Sequence, residues 1–166
     1  GTESDIGVVQ VLLSQVKLAI ENYAAPEHRA AYRDRLHALT AGLLATAAPA
    51  SDHQLAFARN FASAARTPEH AAVLREWLNG SAPEGLAIDT DLRWTLLQRL
   101  IALGAAVPEE IDLELERDDT ATGRRQAATA RAGIPTAEAK EAAWAEAVDS
   151  DELPNAMLSA TVGGFN

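Results

Sequence analysis

Asp89–Gly104, DTDLRWTLLQRLIALG, is the stretch on which the reading of the fold turns. Asp89 or Thr90 can cap the first free amides of a helix, and Asp91 suits the positive end of its dipole. Gly104 can take the left-handed conformation that ends it. Between them Leu92, Leu103, Leu96, Leu100, Leu97, Ile101 and Trp94 sweep about 200° of a helical surface, at 100° per residue. A face that broad predicts a helix with neighbours on both sides. One residue breaks the sweep: Arg93 falls between the directions of Leu97 and Leu100. Either its stem snorkels outward from the first turn, or its guanidinium pairs with a carboxylate, because a lone buried charge is too costly.

Outward from that helix, nearly every segment reads the same way. Alanine, leucine, glutamate and arginine dominate, and β-branched runs are scarce. Ile6, Val9, Leu12, Leu13, Val16, Ile20 and Tyr23 recur at helical spacing up to Ala25–Pro26. Pro26 opens a second helix running to about Ala47. Ser51-Asp52-His53-Gln54 has the form of a capping box, with Gln54 reaching back to Ser51. Thr67-Pro68 opens a helix with Val73, Leu74, Trp77 and Leu78 inside, and Pro108 one with Ile111, Leu113 and Leu115. Thr120 or Thr122 caps the next. Pro135-Thr136 begins one with Ala143, Trp144, Ala147 and Val148 inside, and the last, from about Leu153, carries Met157, Leu158 and Val162. Pro26–Leu36 aligns with Pro68–Leu78 at an offset of 42 residues. Two-helix solenoid repeats have periods of about 40–47 residues. The expectation is an all-α, HEAT-like superhelix of eight or nine helices in antiparallel pairs, forming a single domain over 1–166.

The chain has 166 residues, enough for a real core, and no cysteine, which excludes disulfides and thiolate chemistry. A net charge of −10 argues against nucleic acid as a partner. No apolar run approaches the roughly 20 residues needed to span a bilayer, so no membrane is expected. GTESD carries no basic-then-apolar leader, and a cytoplasmic location is expected.

No residue set looks catalytic or metal-binding. H-E-x-x-H is absent, and the positions four after His28, His37, His53 and His70 hold Tyr32, Ala41, Phe57 and Leu74. The histidines read as surface or cap residues. One oddity is basic: Arg117, Arg124, Arg125 and Arg131 lie close together in an acidic chain, and Arg124, Ala128 and Arg131 share a helical stripe. Such a stripe can hold a carboxylate, as at a peptide terminus, or form ion pairs with Glu116, Asp118 or Asp119.

ESDIGVVQ at 3–10, TDLRWTLLQRLIALGA at 90–105, and RDDTATGRRQAATARAGIPTAEAKEAAWAEAV at 117–148 followed by LPNAMLSATVGGF at 153–165 carry a resemblance. The chain resembles the C-terminal helical domain of actinobacterial aminopeptidase N, in the gluzincin class of zinc aminopeptidases. The resemblance implies a piece of a larger enzyme whose zinc ligands, general base and amine-binding motif lie in an upstream catalytic domain. It implies a superhelix whose concave side covers the active-site chamber and limits which peptides enter. It also implies that relatives continue beyond residue 166, leaving an apolar edge there. Read without it, the same chain is a HEAT-like scaffold that binds a protein partner.

Overall fold

The computed structural model describes residues 5–149 and 153–165. Asn166, where an apolar edge was expected, lies outside them. Among the described residues there are nine α-helices and no strand: α1 Ile6–Leu18, α2 Pro26–Thr46, α3 Asp52–Ala64, α4 Pro68–Leu78, α5 Thr90–Ala102, α6 Glu109–Arg117, α7 Ala121–Ala132, α8 Ala137–Asp149 and α9 Asn155–Gly163. A π-helical turn, Ala19–Tyr23, prolongs α1.

The residues fall into two compact units. One takes the chain up to residue 65 together with 82–87, and so contains α1 to α3. The other takes 66–81 and everything from 88 onward, and so contains α4 to α9.

In the first unit α2 and α3 pack along each other through the short loop between them. Phe57, Ala58, Phe61 and Ala62 of α3 are buried. The start of α3 departs from the expected capping box. Ser51 Oγ accepts from the Gln54 N–H at 3.1 Å, but Gln54 Oε1 accepts from the Ala50 N–H at 2.8 Å, not from Ser51. The reason is local: the Ser51 N–H already donates to the Ala48 carbonyl, and Ala50 turns into the left-handed region at φ 60°. Gln54 Nε2 also donates to the Glu84 carbonyl at 2.8 Å, which ties the 82–87 segment down. Gly85 beside it has φ 78°, and a Cβ there would lie 2.6 Å from the Ala50 nitrogen, so only glycine fits.

In the second unit α5 is central. Asp89 caps it, accepting from the Leu92 N–H at 2.7 Å. Gly104, at φ 66°, ends it: the Ala105 N–H reaches the Leu100 carbonyl at 2.8 Å and the Gly104 N–H reaches Ile101 at 2.9 Å. Leu92, Trp94, Leu96, Leu97, Leu100 and Ile101 are all buried. Trp94, Leu97 and Ile101 form one cluster with Ile111 of α6 and Ala127 and Ala130 of α7. Alanines on α7 allow that close approach, because dispersion falls steeply with any gap.

Several residues read as inward face out. Trp144 is 61% exposed and Val148 58%. The inner face of α8 runs a quarter turn away, through Ala139, Lys140, Ala143 and Ala147. Leu113 is 57% exposed, and Glu114 takes the inner position beside Ile111. The 42-residue repeat does not extend to burial either. Leu74 is fully buried, whereas Tyr32 at the matching position is 40% exposed, and α2 runs a further ten residues past Leu36 to Thr46.

Candidate functional site

Ion pairs of the second unit join α4 to α7 and the loop between α6 and α7. Arg93, one turn into α5, donates through Nε to Glu114 Oε1 at 2.7 Å and through an Nη to Oε2 at 2.6 Å. The fork is bidentate, the strong form of such a contact. Its two members are 25% and 6% exposed. Glu114 raises the basicity of the Arg93 guanidinium by that hydrogen bond, against the opposing effect of burial. Arg117, one turn on along α6, reaches the same carboxylate at 3.4 Å. Beside them the Trp94 indole donates to Asp118 Oδ2 at 2.9 Å, and Thr120 donates to Asp118 Oδ1 at 2.8 Å. The C-terminus of α6 is thus fixed onto α5 by an ion pair from Arg93 and an indole-to-carboxylate hydrogen bond from its neighbour Trp94.

A second fork joins α4 to α6. Arg75 donates to both oxygens of Glu110 and, through Nη2, to the Ala105 carbonyl at 2.8 Å. Arg75 and the Val107 N–H hold the Glu110 carboxyl below its usual range. The sign follows. Glu110 titrates lower in the folded chain than in the unfolded one, so its pairing contributes fully above about pH 4.3, the unfolded value. The contribution is lost as pH falls through the folded value. Glu110→Gln should therefore cost about 1 kcal/mol at pH 7 and nothing further in acid, flattening the wild-type decline in urea midpoint below about pH 4.5. An unchanged acid slope in the variant would remove Glu110 from that role.

Arg124 and Arg131 stand on the outer stripe of α7. Arg124 donates to Asp119 at 2.6 Å and Arg131 to Asp112 at 2.6 Å, with both pairs at least half exposed. Arg125 bonds Thr122 at 2.8 Å. Arg131 also stands at the rim of a groove of about 380 Å³, whose floor is apolar: Ala128, Ala132, Ile134, Ala143 and Met157. Lys140 of α8 donates to the carbonyls of Ala132 at 2.6 Å and Gly164 at 3.3 Å, at the C-terminal ends of α7 and α9. Its charge suits the negative end of both dipoles, and burial lowers its pKa.

Sequence reasoning singled out Arg93 but not its partner, nor the Arg75–Glu110 fork. A usable signal existed: Glu114 lies one turn from Ile111 and next to Leu115, an acid in an apolar stripe as Arg93 is a base in one.

The four histidines do not come together. His37 is buried, against the expectation of a surface or cap residue, and its ring packs 4.3 Å from that of Phe61. His70 does serve the start of its helix, accepting from the Arg66 N–H at 3.1 Å. Among the described residues no three histidine, aspartate or glutamate side chains are placed to hold a metal ion, so they do not fit a catalytic zinc site. No helix among them is long and apolar enough to cross a membrane.

Comparison with known proteins adds two findings. Residues 1–166 match the family described as ERAP1-like C-terminal domain. The chain is also 54% identical, over 99% of its length, to a protein named Aminopeptidase N from Streptomyces lividans. The match covers 19% of that protein, so the chain spans about a fifth of its relative's length.

Proposed function

The chain belongs to the ERAP1-like C-terminal domain family, and from that premise we propose that it is the accessory helical domain of a zinc-dependent aminopeptidase, an enzyme that removes N-terminal amino acids from peptides. The domain covers the active-site chamber and limits which peptides enter. Zinc and the catalytic groups belong to the rest of the polypeptide, which is the domain's permanent partner, and peptides are its substrates. The observation that carries this reading is the 54% identity sustained over the whole chain to a segment of a much longer aminopeptidase.

Hydrolysis of this class needs a metal-bound water, a general base and groups that hold the substrate amine. The 166-residue chain alone should therefore leave an aminoacyl fluorogenic substrate uncleaved, with activity in the parent polypeptide. Stoichiometric zinc by elemental analysis, with chelator-sensitive turnover by the chain itself, would overturn the reading. Arg124 and Arg131 are proposed to hold the carboxylate end of longer peptides, exchanging Asp119 and Asp112 for the ligand, with the apolar floor beside Arg131 taking the last side chain. Arg124→Ala with Arg131→Ala in the parent should weaken free-acid peptides about tenfold and spare their amides, since a charge-assisted pair contributes about 1.4 kcal/mol or more. Equal weakening of both forms excludes carboxylate capture.

A further inference from the structure

Helix α1 carries apolar residues on two sides, and Lys17, Gln10, Ser14 and Gly7 share the polar sector between them. On its inner side Leu13 is buried, with Ile20 buried in the turn that follows. On its outer side Val8 is 44% exposed, Val11 60%, Leu12 53%, Val16 42% and Leu18 43%. At 100° per residue these five span about 160°, with Gln15 and Ala19 at the middle. Lys17 is the helix's one charged residue. Single exposed aliphatics are ordinary, but five on one contiguous face mark a contact surface.

We propose that this outer face of α1 is the permanent docking surface for the remainder of the same polypeptide, which meets it with an uncharged, apolar surface. The inference rests on the reading of the chain as part of a larger enzyme, and it names the face by which the domain is held. Three observations select that occupant. The 54% identical relative is about five times the length of this chain, so most of such a polypeptide lies outside it. Obligate interfaces are more apolar than transient ones, which carry charged rims that steer encounter; the five exposed side chains here carry no charge at all. A second copy is disfavoured, because each brings a net charge of −10.

The test is hydroxyl-radical footprinting of the 166-residue chain and of the parent polypeptide at equal micromolar concentration. Oxidation of Val11 and Leu12 should fall by about fivefold or more in the parent, as expected at a water-excluding interface core. Val11→Glu with Leu12→Glu should leave the urea midpoint of the 166-residue chain unchanged, since both side chains face water there, and should lower the melting temperature of the parent. Equal labelling in both proteins overturns the proposal. So does protection in the 166-residue chain that grows with concentration, which assigns the face to a second copy. Protection there at every concentration also overturns it, by assigning the face to the chain itself. A parent without aminopeptidase activity but with α1 protected would refute the proposed function alone; an active parent with α1 fully labelled would refute this docking alone.

Discussion

Replacing Arg93 by alanine is expected to lower the unfolding free energy of the chain by about 3 kcal/mol, read from urea denaturation at pH 7. Glu114 is 6% exposed and both of its oxygens are taken by Arg93. Removing the guanidinium leaves a carboxylate in the protein interior with only the Arg117 contact at 3.4 Å. The cost is that of an uncompensated buried charge and not the worth of the bond itself. A buried pair returns little net stability once both desolvation penalties are counted. Arg93→Met together with Glu114→Met should therefore recover most of the loss, giving a large coupling in a double-mutant cycle. A change within about 0.5 kcal/mol on removing Arg93 would instead leave the outward-snorkelling account standing.

Gly123→Ala is expected to destabilise by about 3 kcal/mol, although alanine ordinarily stabilises a helix over glycine by up to about 1 kcal/mol. The inversion of sign comes from one contact. A Cβ at Gly123, in the first turn of α7, would lie 1.9 Å from the Asp118 carbonyl oxygen and 2.7 Å from Asp118 Oδ2. Oδ2 is the acceptor for the Trp94 indole, so the methyl must push the loop between α6 and α7 and strain that bond. Two measurements check it: thermal unfolding, and hydrogen exchange at the Trp94 indole followed by NMR. Exchange should quicken in the variant. A fully stable variant with a protected indole would mean that the loop yields without cost.

What the sequence made legible was local. The caps of α5 and the glycine that ends it act within a few residues, and the side chains themselves specify them. Its breadth of burial was legible because apolar periodicity needs no knowledge of the neighbours. Arg93 was conspicuous for the same reason. Its partner was not, since Glu114 stands 21 residues away on a helix whose apolar stripe was taken through Leu113. The alanine-rich α8 misled in another way. With small side chains on every face, its two largest apolar residues, Trp144 and Val148, looked like the inner side, whereas the packing selected the alanines that let helices approach closely. Gln54 was read as a cap residue and is one, but the atom it serves was decided by the left-handed turn at Ala50, which composition does not announce. For Arg124 and Arg131, the stripe was visible, and the aspartates that meet them lie 5 and 19 residues away.

The order of the chain through the two units has a consequence for synthesis. The backbone leaves the first unit after residue 65, builds α4, returns for 82–87 and leaves again. During translation, α4 therefore emerges before the unit that precedes it has received its last six residues, among them the buried Leu86 and the Glu84 carbonyl that Gln54 bonds. A nascent chain that has emerged only as far as residue 81 presents a first unit still lacking its closing segment, with α4 already outside the ribosome. Domains ordinarily fold as successive units as they emerge. Here the first cannot be completed until α4 of the second has already emerged.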